Sequence, residues 1–536
     1  MSSRYFLLPL LLLAGYLGGQ TDFSSTLPII VIDTEGREIP DEPKIPARMG
    51  VIDNGAGQLN RPDDAFNEYD GFVGIELRGS SSQGFAKKGY GLETRTADGE
   101  DRQVPLLGFP IEEDWVLHGP YSDKSLIRSA LAYHLAGGIM DYAPRVRMTE
   151  VIINGDYRGV YLFTESIKRD RNRVDVKKMK PGFAAGDSLT GGYILKFDKF
   201  TGENFDAPVL FESAYNADTE STQAIRFIYH YPKPKDITPT QRSYLQNHIS
   251  RFEDALAGDD FLDPVNGYRP YVDLPSFVDF LLINELSRNV DGYRLSSYFS
   301  KERDGKGGRL RMGPVWDFNL AFGNADYCDG GRTSGWAYDF GEVCPDDFFQ
   351  LPFWWDRLQE DPAFVAMLND RWDELRAGPW STENLHATID SFTVAMGEAT
   401  ARNFERWPVL NQYVWPNNFV GGTYTAEIGY LKGWVNSRAK WLDTAINQLT
   451  PVRYTGAQAK LLVSPNPTNG EIRLLSGIHG ALTDVRVYNG LGRLLFTDRR
   501  LEQGVTIDLS SFGTGIYVLR ARRGDGTVVT ARVVVR

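Results

Sequence analysis

Cysteine and histidine are both scarce. The 536 residues hold two cysteines, Cys328 and Cys344, and six scattered histidines. No Cys/His spacing of a zinc site is present, and neither is an HExxH helix. The phosphate-loop pattern GxxxxGK[ST] is absent, and the string GSSSQG at 79–84 lacks the spacing of a nucleophile elbow. Apart from its beginning, the chain has no apolar run approaching the roughly 20 residues of a membrane span. Basic charge is in deficit: the formal net charge is −12, which excludes a broad nucleic-acid surface. There is no long-period repeat and no low-complexity tract.

What is present describes a folded, exported chain. Apolar residues make up 42% and aromatic residues 12%, enough for a packed interior, and the length calls for two or more domains. Residues 1–20, MSSRYFLLPLLLLAGYLGGQ, pair a basic start at Arg4 with a short apolar run and a small-residue end, and read as a secretory signal peptide. Outside the reducing cytoplasm the default for Cys328 and Cys344 is one disulfide, worth about 3 kcal/mol through loop closure. The tetrapeptide Gly186-Asp187-Ser188-Leu189 spells a lipase signature. No histidine here follows an aspartate by three residues, as that chemistry needs, so it reads as a loop.

Patterning predicts strands at 27–34 and at both ends of 71–95, where a small polar loop intervenes. A helix is predicted over 122–137 with Ser122 as its cap. Asn154-Gly155 joins two strands as a hairpin, and a third strand follows at 191–199. Residues 276–290 read as an apolar-faced helix capped by Ser276 and ended by Asp291-Gly292. A hairpin then turns at 304–308 and leads into GPVWDFNLAFGN. From about 350 to 447 the chain reads as helical and Trp-rich. Trp354, Trp355, Trp372, Trp407 and Trp441 are expected in its core rather than on a sugar-binding face.

After a linker at 448–460 the character changes. Residues 461–536 alternate in short strands with Asn-Gly and Gly-Asp-Gly turns, which predicts a β-sandwich of about seven strands. This segment has ten basic and six acidic residues, net +4. Residues 21–460 have 47 and 64, net −17. The segments SPNPTNG (464–470), VYNGLGRLL (487–495) and LSSFGTGIYVLR (509–520) resemble the C-terminal sorting domain of the type IX secretion system. The resemblance implies handling by that machinery, export through the periplasm, and release or cell-surface attachment.

The chemistry-bearing constellation is Asp291 with Asp317. A carboxylate after a buried helix is followed by a hairpin, then by a second carboxylate expected at a strand end, with Asn319 on the same face by period 2. Protein kinases order their parts this way: a catalytic-loop Asp, a hairpin, and a metal-binding Asp before a Phe-Gly turn. Phosphoryl transfer needs one carboxylate to orient or accept the hydroxyl proton and a hard oxygen ligand to hold a divalent cation on the phosphates. Ser297 or Ser296 takes the place of the catalytic-loop Asn.

Six ordered segments extend this likeness: LRGSSSQGFAKKGYGLETR (77–95), EEDWVLHGPYSDKSLIRSALAYHL (112–135), VIINGDYRGVYLFTESIKRDRNRVDV (151–176), GGYILKFDK (191–199), NELSRNVDGYRLSSYF (284–299) and GPVWDFNLAFGN (313–324). Together they make residues 27–447 resemble the CotH family of spore-coat-type atypical protein kinases. The resemblance implies a kinase-like fold without the usual glycine-rich loop, ATP and Mg²⁺ (or Mn²⁺) as cofactors, and transfer to Ser or Thr of extracytoplasmic proteins. It makes Asp291 the catalytic base and Asp317 a metal ligand, with Asn319 replacing the family's second acid. Cations for the phosphates are sought among Lys88, Arg78, Lys168 and Lys196. Lys88 ranks first, paired with Glu165 as kinases pair a strand lysine with a carboxylate. Trp316 and Tyr90 are the candidates for stacking on adenine.

The expected class is therefore α+β: an atypical protein-kinase-like domain followed by a small all-β sandwich, with a protein substrate, no nucleic-acid partner and no integral membrane span. The competing expectation is a surface structural or adhesion protein that keeps the fold without transfer.

Overall fold

Runs of β-branched and aromatic residues dominate the N-terminal third of the chain, and they form strands. A computed structural model describes residues 23–200, 209–217, 223–449, 463–474, 482–489, 493–501, 506–522 and 528–536. The expected signal peptide at 1–20 and residues 450–460 of the expected linker lie outside them. The first strands are β1 (Ile29–Asp33), β2 (Ile45–Ile52), β3 (Tyr69–Arg78) and β4 (Gly89–Arg95). A small pair, β5 (Val104–Leu106) and β6 (Phe109–Glu112), comes next. It is followed by β7 (Asp114–His118), β8 (Val146–Ile153) and β9 (Asp156–Glu165). All but β5 and β6 close into a barrel in the order β1-β2-β3-β4-β7-β9-β8. Closure comes from the parallel pairing of β1 with β8; the other pairs are antiparallel. Val73, Ile75, Leu92, Trp115, Val151 and Phe163 fill the interior.

A second sheet runs β11-β12-β10-β13-β14. Its strands are β10 (Tyr193–Phe197), β11 (Leu210–Asn216), β12 (Ala224–Tyr231), β13 (Ser297–Lys301) and β14 (Leu310–Met312). Helices α1 (Arg128–Gly137), α2 (Pro239–Ala257) and α3 (Leu274–Ser287) intervene in the chain, and further helices follow between Phe340 and Ala445. The architecture is mixed α+β. Trp354, Trp355, Trp372 and Trp407 are buried, as core tryptophans should be, while Trp441 is half-buried against Trp336 and the Arg438 guanidinium. No helix among the described residues is long and apolar enough to cross a membrane.

Contacts divide the chain into two compact units. One comprises 1–250, 271–356 and 363–449, and the other comprises 251–270, 357–362 and 450–536. In the tail the described strands form two sheets. One has three strands, β15 (Val463–Ser464), β16 (Glu471–Leu474) and β19 (Thr506–Asp508). The other has four, β17 (Leu482–Asn489), β18 (Leu494–Leu501), β20 (Gly515–Arg522) and β21 (Val528–Val535). Ile472 and Ile507 from the first sheet share one core with Val485, Val487, Leu519 and Val533 from the second.

Three local expectations are corrected. The first helix starts at Arg128 rather than near Ser122. The residues before it are held in a turn by Asp123, whose carboxylate accepts from the Ser125 and Arg128 amides and from the Arg128 guanidinium (2.6 Å). The helix expected from Ser276, α3, begins at Leu274 with Asp273 at its cap position, and Ser276 Oγ donates to the Asp273 carbonyl. Finally, the last strand of the hairpin stops at Met312, well before Asp317. Pro314 has no N–H for a ladder, and Asp317 adopts a left-handed φ of 61°. Period-2 alternation therefore does not relate Asp317 to Asn319.

Candidate active-site cleft

Four chain segments converge on a cleft of about 320 Å³ within the first unit. That volume is at the lower end of the roughly 300–1,000 Å³ typical of small-molecule sites. The β3–β4 hairpin contributes Arg78 and the Gly79–Ser82 turn, and the end of β10 contributes Lys196, Asp198 and Lys199. Residues after α3 contribute Asp291, Leu295 and Ser296, and residues after β14 contribute Trp316, Asp317 and Asn319.

Each carboxylate is placed by specific backbone contacts. Helix α3 stops because Arg288 turns left-handed, at φ 41°. Asp291 sits three residues on, and its carbonyl accepts from the Leu295 amide (2.9 Å). Gly292 packs so tightly that a Cβ there would lie 2.4 Å from Asn284 Oδ1, which explains the Asp-Gly dipeptide. The Asp317 amide donates to Tyr133 Oη of α1 (3.0 Å), and the Phe322 amide donates to the Ser287 carbonyl (2.7 Å). The 313–324 segment is thereby tied to both helices that flank it.

The electrostatics follow first from burial and then from neighbouring charge. Burial first, then Asp291 and Asp198, raise the Asp317 carboxyl to about 7 against the opposing pull of Lys199 and Arg78. Asp291 is raised as well, again first by burial, against the pull of Arg294 and Lys199. Burial together with neighbouring like charge therefore keeps Asp317 partly protonated near neutral pH. A divalent cation is the chemistry that relieves this group of acids, and Asn319 adds a neutral oxygen. Arg78, Lys196 and Lys199 supply cationic groups for phosphate oxygens. By charge and donor type this lining could hold a divalent cation together with an anionic ligand.

The fit is loose on one count. Among the described residues, the group of three acids whose ligand atoms lie within 4.8 Å of one another is Glu112, Glu113 and Asp114, away from this cleft. That group holds Lys168 Nζ, at 3.0, 2.7 and 2.7 Å.

Of the residues singled out from the sequence, the cleft lining includes Asp291, Asp317, Asn319, Arg78, Lys196, Trp316 and Ser296. It does not include Lys88, Glu165 or Lys168. The expected Lys88–Glu165 pair is not formed. Lys88 Nζ donates to the Gln83 carbonyl (2.5 Å), and Glu165 is held by Arg145 (2.7 Å) with Arg173 at 3.7 Å. Lys168 is engaged by its three carboxylates. Ser297 is buried and donates to the Leu295 carbonyl. Tyr90 is buried in the barrel and packs on Tyr161, so it offers no face to adenine. Trp316 stacks on Tyr133 (5.9 Å, 18°), and the Arg78 guanidinium lies 5.4 Å from its ring centroid.

Sequence reasoning missed several lining residues. Asp198, just past the end of β10, stands two residues from Lys196, and the pair is joined at 3.2 Å, so the i, i+2 spacing carried a signal. Lys87 turns inward beside the chosen Lys88. Its ammonium is buried on the Val160 carbonyl (2.6 Å) and Asn403 Oδ1 (2.7 Å), and burial holds its pKa well below the ordinary lysine value. His118, at the end of β7, is pushed down to about 4 by burial and stays neutral. Trp415, half of whose surface is exposed, stacks flat on Tyr327 (6.0 Å, 6°) at the lining. Nothing in the local pattern joins it to this site.

Comparison with known families yields two matches. The model described as CotH kinase protein matches residues 75–442, and that described as secretion system C-terminal sorting domain matches residues 462–536. No curated protein matches the chain. The sorting-domain match indicates type IX secretion handling and a secreted or cell-surface protein.

Proposed function

The chain belongs to the CotH kinase protein family, and from that membership we propose that its first unit is a kinase-like domain. It transfers phosphate from ATP to Ser or Thr hydroxyls of extracytoplasmic or surface proteins. The observation that carries this reading is the gathering of Asp291, Asp317 and Asn319 with Arg78, Lys196 and Lys199 in one cleft. When bound, Mg²⁺- or Mn²⁺-ATP supplies the phosphoryl group and neutralises the acids around it.

The chain's own residues then divide the work. Asp291 accepts the hydroxyl proton, and its raised pKa moves it toward the range where a general base works best. Asp317, Asn319 and Asp198 hold the cation. Arg78, Lys196 and Lys199 orient the phosphates, and the Gly79–Ser82 turn offers small hydroxyl side chains at the same cleft. Trp316, with Tyr133 and Arg78 against it, buttresses Arg78 rather than stacking on a base.

The second reading is a surface structural or adhesion protein without transfer. Asn319 in place of an acid favours it, because a charge is missing from the metal set. Thermal melts with ATP and Mg²⁺ or Mn²⁺ separate the two. The kinase reading expects stabilisation only when nucleotide and metal are both present, and no shift in any combination would favour the scaffold.

A further inference from the structure

Arg294 connects the candidate base to the disulfide loop. Its guanidinium is 2% exposed and has four polar partners. Nε donates to the Val290 carbonyl (2.8 Å) and Nη2 to Asp291 Oδ1 (3.2 Å). Nη1 donates to Asp347 Oδ1 (3.0 Å) and the Phe349 carbonyl (3.2 Å). The Phe340 ring lies against it, 3.9 Å from the guanidinium carbon to the centroid. Apart from the two contacts to its own turn, every partner comes from residues 340–349. The Cys328–Cys344 disulfide fixes this segment, with Cα atoms 5.7 Å apart. Phe340 lies inside the bridged loop, and Asp347 lies three residues past its end. Asp347 is itself pinned, since its Oδ1 also accepts from the Phe349 amide (2.8 Å).

The geometry points to Arg294 as a positioning residue for Asp291, held in place by the Cys328–Cys344 loop. This inference rests on the reading of Asp291 as the base. A carboxylate at a helix exit has many rotamers, and a fork donor fixed at its other end selects one. Among the described residues the hydrogen-bonded link from this segment to the Asp291 carboxylate runs through the Arg294 guanidinium; the loop separately holds the helix exit, where Arg288 donates to the Asp329 (3.0 Å) and Gly335 carbonyls. A disulfide in the loop after the metal-binding segment then has a task beyond stability: it holds the clamp that aims the base.

The test uses the full chain with three variants, Arg294→Gln, Arg294→Lys and Cys328→Ser/Cys344→Ser, plus the combination of Arg294→Gln with the double serine change. Hydrogen exchange is read at the Gly292 and Leu295 amides, which bond to the Asn289 and Asp291 carbonyls, with the barrel strands as the control for folding. Exchange is expected to quicken by about tenfold in Arg294→Gln and in the double serine variant, with little further gain when they are combined. Arg294→Lys, which keeps one charged donor, should fall between. Phosphoryl transfer is read in parallel: kcat should drop on the order of tenfold or more with KM for ATP unchanged. Unchanged exchange at both amides, or fully additive effects, would overturn the clamp. Faster exchange with no transfer by the parent protein would leave the clamp standing and remove the kinase reading.

Discussion

Replacing Asp317 by Asn tests the electrostatic state of the cleft directly. The folded carboxyl titrates near 7 against an ordinary value of 3.8. Below 3.8 it is protonated in both folded and unfolded chains. Between 3.8 and 7 the folded chain binds the extra proton, so stability falls as pH rises through that window, and the loss is complete above 7. A shift of about three units corresponds to a ceiling of about 4 kcal/mol. Asp317 is half-buried in a cleft open to water, where screening lowers the penalty, and about 1–2 kcal/mol is the realistic scale. The amide of the variant cannot ionise. The variant is therefore expected to melt about 2–4 °C above the parent at about pH 8, and together with it at about pH 4, both measured in chelator. Adding Mg²⁺ or Mn²⁺ should stabilise the parent more than the variant and close the gap. Equal melting at both pH values would refute the reasoning, and so would a parent that gains on the variant as pH rises.

Other outcomes follow from named contacts. Lys88→Ala should leave nucleotide binding within about twofold, because Lys88 reaches only a local carbonyl; Arg78→Ala should weaken it about tenfold or more by losing a charged phosphate donor, both read by titration with ATP and Mg²⁺. Arg438→Ala should cost about 3–5 kcal/mol in urea unfolding, since it strands Glu285 in a fully buried pair (2.9 Å) that also receives the Tyr293 hydroxyl and the Ala337 and Tyr338 amides. Lys168→Ala should lose stability relative to the parent as pH rises from about 2 to about 4.5, the window over which Glu113 ionises: burial raises its carboxyl, but hydrogen bonds with Glu112 and Lys168 outweigh that and hold it at about 2 in the parent.

Much of the strand and helix pattern was legible because it is local. The barrel strands β1, β3, β4, β8 and β9, the Asn154-Gly155 hairpin and the alternating tail follow from periodicity and turn residues, whereas β2 and β7 were not read from the sequence. The cleft was legible in part. Asp291 and Asp317 stood out because polar residues beside buried apolar ones need a reason. The Lys88–Glu165 pairing does not form because a hairpin's inward side depends on packing partners far away in sequence: Lys87 is held by Asn403, and Glu165 by Arg145 and Arg173. Asp317 was read as a strand residue because its neighbours are apolar and aromatic. Its left-handed φ is set by Tyr133 and the helix ends, which no local pattern reveals. Asp198 was within reach, through its i, i+2 spacing from Lys196. The clamp on Asp291 was not, because Arg294 and Asp347 are joined only by the folded disulfide loop.

The central claim is that this cleft transfers phosphate with Asp291 as base and Asp317 on the metal. The most direct measurement incubates the purified chain with γ-labelled ATP and Mg²⁺ or Mn²⁺, alongside Asp291→Ala and Asp317→Ala. Label should pass to protein Ser or Thr with the parent, and fall on the order of a hundredfold or more with either variant. Equal labelling by all three proteins would contradict the assigned roles, and no labelling by any of them would leave a surface protein that keeps the fold without the reaction.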